Sequence, residues 1–191
     1  MRSPQVILSV ATSHSQPDFE LLEALQRTFL SILSAAATSG AWILTDGLDA
    51  GITKLMAEMH SSVGASVPLI GVVPHGAING RQLFDLTRNE TVQYTNVSPA
   101  SAQGAPINGF HTHFLMVESD KSGADAWGSE INFRTRLEHH YIDMKNTAVV
   151  LLVVDGGLDA LKQALIAIER LQPVVVIEDS GGAAGALAEY L

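Results

Sequence analysis

Four short turns of the chain combine glycine or small polar residues with the end of an apolar segment. They lie at 11–13 (Ala-Thr-Ser), 46–47 (Asp-Gly), 155–157 (Asp-Gly-Gly) and 180–182 (Ser-Gly-Gly). Glycine lets a ligand approach the backbone closely, and a helix that begins at such a turn presents free N–H groups to an anion. The turns therefore predict an anion site, unless the glycines serve only to let the chain turn. No turn matches GxGxxG or GxxxxGK[ST], so neither a dinucleotide fingerprint nor a P-loop is indicated.

Several histidines and one arginine lie near the ends of other apolar segments. His75 and Arg81 follow the third segment, where each could face a phosphate or serve as a solvated loop cation. His111 and His113 are two residues apart, a spacing that places both on one face of a strand. Two such histidines can bind zinc, but no third ligand is apparent. An imidazole that faces a nucleotide or the edge of the core is the favoured interpretation, and no metal site is predicted.

A further group of charged residues follows the fourth apolar segment. Glu130 and Arg134 are four residues apart, a spacing that favours an ion pair along a helix. Arg136 faces another way than Arg134, so one arginine can pair with Glu130 while the other binds a phosphate through two hydrogen bonds. The alternative is an ordinary surface ion pair. No Ser-His-Asp or Cys-His arrangement has a recognisable local signature, so no catalytic residue is predicted.

The elements that position these residues follow from the hydrophobic periodicity. Short apolar segments predict six strands, and segments with apolar residues at helical spacing alternate with them. This alternation predicts an α/β fold, a Rossmann-like three-layer sandwich with a mostly parallel sheet of about six or seven strands and helices on both faces. All four turns then lie at the carboxyl edge of the sheet. The predicted strands are 6–10, 41–44, 69–73, 114–117, 149–154 and 174–177, and the predicted helices are 17–39, 50–62, 127–144, 158–171 and 183–191.

The periodicity also predicts which helical side chains face the core, and where the alternation is interrupted. Helix 127–144 is expected to bury Ile131, Leu137, Tyr141 and Met144, and helix 158–171 to place Leu161, Leu165 and Ile168 on one side. Between residues 74 and 109 the pattern fails over a length that is unusual for a plain loop. We expect an excursion over the ligand-facing edge, with a short strand at 91–94 and mobility near 98–106, within a single domain that spans 1–191.

Composition limits the class of protein. The chain has 191 residues, 47% of them hydrophobic, a formal net charge of -9 and no cysteine. The negative charge and the lack of a basic block argue against nucleic acid as a partner. No apolar run approaches the roughly 20 residues that a membrane helix needs, and no signal peptide is apparent, so no membrane contact is expected. The lack of cysteine fits a reducing compartment.

The order and spacing of several motifs resemble a known family. The motifs are GAWILTDGLDAGITKLMAE, LIGVVPHG followed by Arg81, HTHFLMVE, GSEINFRTRLE, VVLLVVDGG and PVVVIEDSGGAAGALAEYL. Together they are similar to the N-terminal cytosolic homology region of melastatin-type transient receptor potential (TRPM) channels. That region belongs to the SLOG superfamily, which also includes Lonely-guy phosphoribohydrolases and Smf-type DNA-processing proteins. The resemblance covers about residues 5–190.

The resemblance implies a regulatory domain on the cytosolic side of a channel. It implies that ADP-ribose or another adenine nucleotide binds at the carboxyl edge of the sheet, with no required cofactor, and that other channel domains or subunits of a homotetramer are the partners. Arg81, Arg136, Gly47 and Gly51 match positions of the family's site. The full set of candidate ligand-binding residues is Thr12, Ser13, Asp46, Gly47, Gly51, His75, Arg81, His111, Glu130, Arg134, Arg136, Gly156, Gly157 and Gly181.

The chain departs from the family's patterns at several turns. Ala-Thr-Ser replaces Thr-Gly-Gly at 11–13, Asp46 replaces a glycine of the second turn, and the arginine of Gly-Ser-Gly-Arg is missing from the last turn. These departures leave open whether the ligand is ADP-ribose, another nucleotide or none, in which case the domain is a non-binding channel-assembly module. A phosphoribohydrolase-like enzyme is the other alternative, but the sequence after Gly157 lacks the glycine, threonine and glutamate of Pro-Gly-Gly-x-Gly-Thr-like motifs.

Overall fold

The computed structural model describes residues 3–14, 19–64, 66–84, 91–95 and 97–190. Six strands form one sheet in which every neighbouring pair is parallel. Their spatial order is β4-β3-β2-β1-β5-β6. The predicted α/β class and the parallel sheet are confirmed. The strands are β1 (Val6–Thr12), β2 (Trp42–Thr45), β3 (Leu69–Pro74), β4 (His113–Val117), β5 (Ala148–Val154) and β6 (Val174–Ile177).

Five α-helices cover the two faces of this sheet. The first two pack on one face through Phe29, Ile43 and Met56, which are fully buried. The other three pack on the opposite face, so the structure has the three layers of a Rossmann-like sandwich. The helices are α1 (Phe19–Ser39), α2 (Gly51–Ser62), α3 (Ile131–Lys145), α4 (Leu158–Glu169) and α5 (Gly182–Ala188). The predicted start of α1 at 17–18 lies outside the described residues.

The strand order reverses between β1 and β5. From β1 the chain proceeds through β2 and β3 to β4 on one side, and then returns to place β5 on the other side of β1. In open parallel sheets, the crevice outside the carboxyl ends of the strands at such a switch point is where ligands bind. The turn after β1 and the turn after β5 therefore flank the position that topology favours for a ligand.

Two expectations for the helices are wrong. Met144 on α3 is 68% exposed, and the fully buried positions of that helix include Arg134 and Glu138. Leu165 and Ile168 on α4 are 57% and 53% exposed, because alanines instead face the sheet on that helix. The small alanine side chains let α4 lie close to β5. The buried alanines of α4 are Ala160, Ala164 and Ala167.

The described part of the excursion after β3 has a local structure that differs from the prediction. Residues 91–94 form no strand. Tyr94 instead stacks on Phe84 with ring centroids 5.0 Å apart and donates a hydrogen bond to the Asn79 carbonyl. The stretch 98–106, expected to be mobile, includes the fully buried Ala105, which pairs with Ile78. Apolar packing thus holds this part of the excursion against the domain.

In the part of the chain that the structure describes, no helix combines the length and the apolar character that crossing a bilayer requires.

Candidate functional site

Three of the four predicted turns meet at the switch point. The Ser13 hydroxyl after β1 donates a hydrogen bond to the Asp155 carboxylate after β5. The backbone N–H of Asp155 donates to Ser180 Oγ at 2.7 Å, and the N–H of Ala184 donates to the Asp155 carbonyl at 2.9 Å. Asp155 thus joins the turns that follow β1, β5 and β6, and it holds them at fixed positions around the crevice.

Asp155 is the residue of this site that sequence reasoning undervalued. Its φ is +54°, a left-handed conformation that is uncommon for a residue with a side chain and that concentrates at functional sites. The sequence signal was present, since an aspartate stands at a strand end beside two glycines. The glycines drew the prediction instead, because the pairing of Asp155 with Ser13 spans 142 positions of the chain and is created by the fold.

The first turn of α4 opens onto free space in front of this network. Gly157 is the N-cap residue of α4, and no side chain caps the helix there. Among the described residues, no atom outside the neighbouring positions of the chain lies within 4 Å of a Cβ built on Gly157 or on Gly181. Gly156 differs, because its φ is +95° and a Cβ would lie 2.5 Å from that of Ala160. The uncapped N-terminus of a 12-residue helix and the open space above it form a place where an anion can bind backbone N–H groups.

The second turn, between β2 and α2, is closed. A Cβ on Gly47 would lie 2.7 Å from the Gly71 Cα, so this glycine permits the turn after β2 to pack closely on the backbone of β3. The Asp46 carboxylate accepts hydrogen bonds from the Leu48 N–H at 2.9 Å and from the Thr53 hydroxyl at 3.0 Å. These internal partners use both carboxylate oxygens. Gly51, the first residue of α2, is buried as well.

His111 belongs to this closed region. Its Nε2 lies 2.8 Å from Thr45 Oγ1, and that hydroxyl accepts the N–H of Gly47 at 3.0 Å. Thr45 therefore donates to Nε2, and Nδ1–H donates to the Asn108 carbonyl at 3.2 Å. Burial lowers the pKa of His111 to about 4, which fits a neutral ring with this tautomer. His113 is exposed in β4, so the expectation that both histidines share a strand face is wrong.

Arg134 is buried between α3 and the sheet. Its Nη2 donates to the carbonyls of Val10 at 2.9 Å and Leu44 at 3.0 Å, near the ends of β1 and β2. Its ion-pair partner is Glu138, whose Oε1 lies 3.3 Å from Nε and also accepts the Ser9 hydroxyl. The predicted pair with Glu130 is therefore wrong, because the fold supplies Glu138 and two strand carbonyls as partners. With the donors of Nε and Nη2 bound inside the protein, Arg134 is a structural residue.

Glu130 is a buried carboxyl group just before α3. It is 6% exposed, and among the described residues its Oε2 has no hydrogen-bond partner. Burial raises the pKa of Glu130 to about 8, and the negative charges of Asp46 and Asp159 add to the effect. Glu130 is therefore mostly protonated at neutral pH. A buried carboxyl group with a perturbed pKa and one unpartnered oxygen is typical of functional sites.

The remaining predicted residues lie apart or have modest roles. Arg136 is exposed, and two positions along a helix place it on the opposite side of α3 from the buried Arg134. His75 and Arg81 follow β3, which lies two strands away from β1. Arg81 is exposed, and its nearest described partner is the Gly76 carbonyl at 3.5 Å. Thr12 is half-buried at the end of β1, beside Ser13.

Two aromatic side chains missed by sequence reasoning connect the crevice with the excursion. The rings of His14 and Trp127 have centroids 3.8 Å apart, and His14 Nδ1 lies 3.6 Å from the Asp46 carboxylate. Trp127 Nε1 donates to the Ala102 carbonyl at 3.1 Å. His14 and Trp127 are far apart in the sequence, so no local pattern predicts the contact between their rings.

Comparisons with known proteins match nearly the whole chain to one family. A family model described as SLOG in TRPM matches residues 1–190. A transient receptor potential channel of Caenorhabditis elegans is 33% identical over 97% of this chain and 10% of its own length. Subfamily M member 7 of Homo sapiens is 31% identical over 98% of this chain and 11% of its own length, and member 6 of Mus musculus is 29% identical over 98% and 10%.

The chain thus spans about a tenth of the length of these relatives. The matched region extends over nearly all of it, and the six-stranded parallel sheet is the fold that the resemblance implies. The chain belongs to the family of SLOG domains found in TRPM channels.

Proposed function

We propose that this SLOG domain is a ligand-sensing regulatory module on the cytosolic side of a TRPM-type channel, or of a channel-like protein. The ligand is ADP-ribose or another adenine nucleotide, and its binding shifts the contacts between this domain and other channel domains or subunits. The observation that supports the proposal is the first turn of α4 at the switch point of the sheet, which no side chain of the described residues caps or fills.

The charge pattern around the switch point specifies how such a ligand would be held. Arg134 uses Nε and Nη2 on Ser9, Glu138 and strand carbonyls, and Arg136 is exposed on the opposite side of α3, so we assign neither arginine to the phosphate. A phosphate would therefore bind the backbone N–H groups at Gly157 and after it. The Asp155 carboxylate is a hydrogen-bond acceptor, a role suited to ribose hydroxyls. We expect weaker binding than an arginine-lined site gives, because carboxylates surround the phosphate position.

Thermal-shift and calorimetric titrations with ADP-ribose, AMP and ATP test the proposal. We expect saturable stabilisation by at least one ligand. The variant Gly157→Val should reduce affinity at least tenfold, because its side chain would occupy the open space in front of α4. Gly109→Val is the matched control, since Gly109 also has no atom within 4 Å of a built Cβ and lacks a positive φ.

Arg136→Ala decides between two positions of the phosphate. Binding that persists in this variant supports the α4 position. If Arg136→Ala loses binding while Gly157→Val retains it, the phosphate lies on the outer side of α3 instead. No stabilisation by any of the ligands would contradict sensing and favour the assembly module.

The same titration samples test for turnover. We expect intact ligand after prolonged incubation, because no catalytic group is predicted at the turn after β5. Release of free adenine from AMP, detected by chromatography, would instead support the phosphoribohydrolase-like enzyme. Glu130 would then be the first residue to replace, since a carboxyl that holds its proton near neutral pH can act as a general acid.

A further inference from the structure

The outer face of α4 carries a stripe of exposed apolar residues that, among the described side chains, has no counterpart on the other helices. We call Leu158, Leu161, Leu165 and Ile168 the α4 seam. Leu158 is 76% exposed, while Leu161 is half-buried against the alanine-rich cluster beneath the helix. Leu165 and Ile168 are more than half exposed, as described above. The helix thus directs its small residues inward and its large apolar residues outward.

The spacing within the α4 seam is that of a helix that packs on another helix. The intervals between its four residues are three, four and three positions, which are the a and d positions of a heptad repeat. Such a stripe packs against a similar stripe through side chains that interdigitate. A seam of this kind is complementary to itself when two copies run antiparallel.

The charges beside the seam favour a second copy of the chain over an unrelated partner. Lys162 and Glu169 occupy equivalent heptad positions next to the seam, and both are exposed. In an antiparallel pair that sets Leu165 against Ile168 of the other copy, each Lys162 faces Glu169 of the other copy. The alternative register, with Leu161 against Leu165, would bring the two Lys162 side chains together and is disfavoured.

We propose that two copies of this chain associate through antiparallel α4 helices, with Leu165 and Ile168 at the centre and two Lys162–Glu169 pairs at the sides. The exposed ion pair between Lys162 and Asp159 of the same helix, 2.8 Å long, can exchange for these contacts at little cost. Because the seam extends over only about three turns, the contact is smaller than a standard interface of roughly 800 Å² per partner. The dimer is therefore weak and concentration-dependent.

Sedimentation velocity of the chain at roughly 1 to 300 µM tests the proposal, since small interfaces dissociate in this range. We expect the sedimentation coefficient to rise with concentration from the monomer to the dimer value. Leu165→Glu should raise the dissociation constant at least tenfold. Met144→Glu is the matched control, because Met144 is similarly exposed on α3 and should leave the constant unchanged. A chain that stays monomeric at every concentration, or assembles beyond a dimer, would overturn the proposal.

A charge exchange tests the register. Lys162→Glu should weaken the dimer, because each Glu169 then faces a like charge. The double variant Lys162→Glu, Glu169→Lys should restore it, since the two charges exchange places. Failure of the double variant to restore association would overturn the antiparallel arrangement. Ligand titration of Leu165→Glu should match that of the unmodified chain. The proposed dimer and the proposed nucleotide site can therefore be contradicted independently of each other.

Discussion

At the scale of single residues, the fold gives similar side chains opposite roles. Arg134 and Arg136 are two positions apart, yet one donates to the carbonyls of β1 and β2 while the other is exposed. Glu130 and Glu138 are both buried, but Glu138 accepts hydrogen bonds from Ser9 and Arg134 whereas Oε2 of Glu130 accepts none among the described residues. Residue type alone therefore does not identify the ligand-binding group. The difference lies in which strand ends each side chain can reach.

The free energy of unfolding should depend on pH through Glu130. Its folded-state pKa of about 8 lies above the ordinary value of 4.5, so the folded protein holds this proton more tightly than the unfolded chain does. The contribution of this proton to the free energy of unfolding is then fully present below about pH 4.5 and is lost as pH rises to about 8. At about 1.4 kcal/mol for each pH unit between these two values, the loss is on the order of 5 kcal/mol.

Urea unfolding at several pH values between 5 and 9 measures this dependence. Glu130→Gln removes the ionisation, so its stability relative to the unmodified chain should increase steadily with pH. Glu118→Gln, at an exposed position, is the control and should show a flat difference. A flat difference for Glu130→Gln as well would contradict the buried, protonated state.

At the scale of elements, α3 is attached to the sheet by a polar network as well as by apolar contacts. Its fully buried residues are Ile131, Arg134 and Glu138, so two of the three carry charge. Arg134 joins three elements, because it bonds β1 and β2 from α3. A helix attached in this way has a strongly fixed position, since the hydrogen bonds require one orientation. This fixed position in turn sets where Glu130 and Trp127 lie at the switch point.

Arg134→Met should destabilise the protein by about 3–5 kcal/mol, because it leaves the buried Glu138 without its cation and two strand carbonyls without a donor. Urea unfolding measures the loss. Arg136→Met is a control on the same helix and should change stability by less than about 0.5 kcal/mol. The double variant Arg134→Met, Glu138→Leu should recover part of the loss. Equal effects of the two arginine variants would contradict the structural role of Arg134.

At the scale of the whole molecule, the described part of the excursion fastens the carboxyl edge on the β2 side and makes no hydrogen bond to the turn after β5. Asp49 N–H donates to the Pro106 carbonyl at 2.8 Å, Asn108 N–H donates to the Gly47 carbonyl at 2.9 Å, and Asn108 Nδ2 donates to the Asp49 carboxylate at 2.7 Å. These bonds hold the excursion on the turn between β2 and α2. The turns before α2 and α4 have similar glycine-bearing sequences, and the excursion is bonded to the turn before α2.

Hydrogen exchange should show this closure. We expect the amide protons of Asp49 and Asn108 to be protected to nearly the same degree as the amides of the sheet, because both are bonded within the covered edge. Asn108→Ala should accelerate exchange at Asp49 by about tenfold, and it should destabilise the protein by about 1–2 kcal/mol. Asn132→Ala, at an exposed position on α3, should change neither the exchange rate at Asp49 nor the stability of the protein. Unprotected Asp49 in the unmodified chain would show that the excursion does not hold this turn.

The sequence alone determined the family, the α/β class, the parallel sheet and all six strands to within two residues at either end. It could do so because short apolar segments between helical repeats have few stable arrangements. Only the tertiary structure decided which face of α4 is buried, since alanine and leucine both fit a helix and the sheet accepts only the smaller residue at close range. Likewise, only the folded chain placed Ser13 against Asp155 and covered the Asp46–Gly47 turn, because those contacts join residues from distant parts of the sequence.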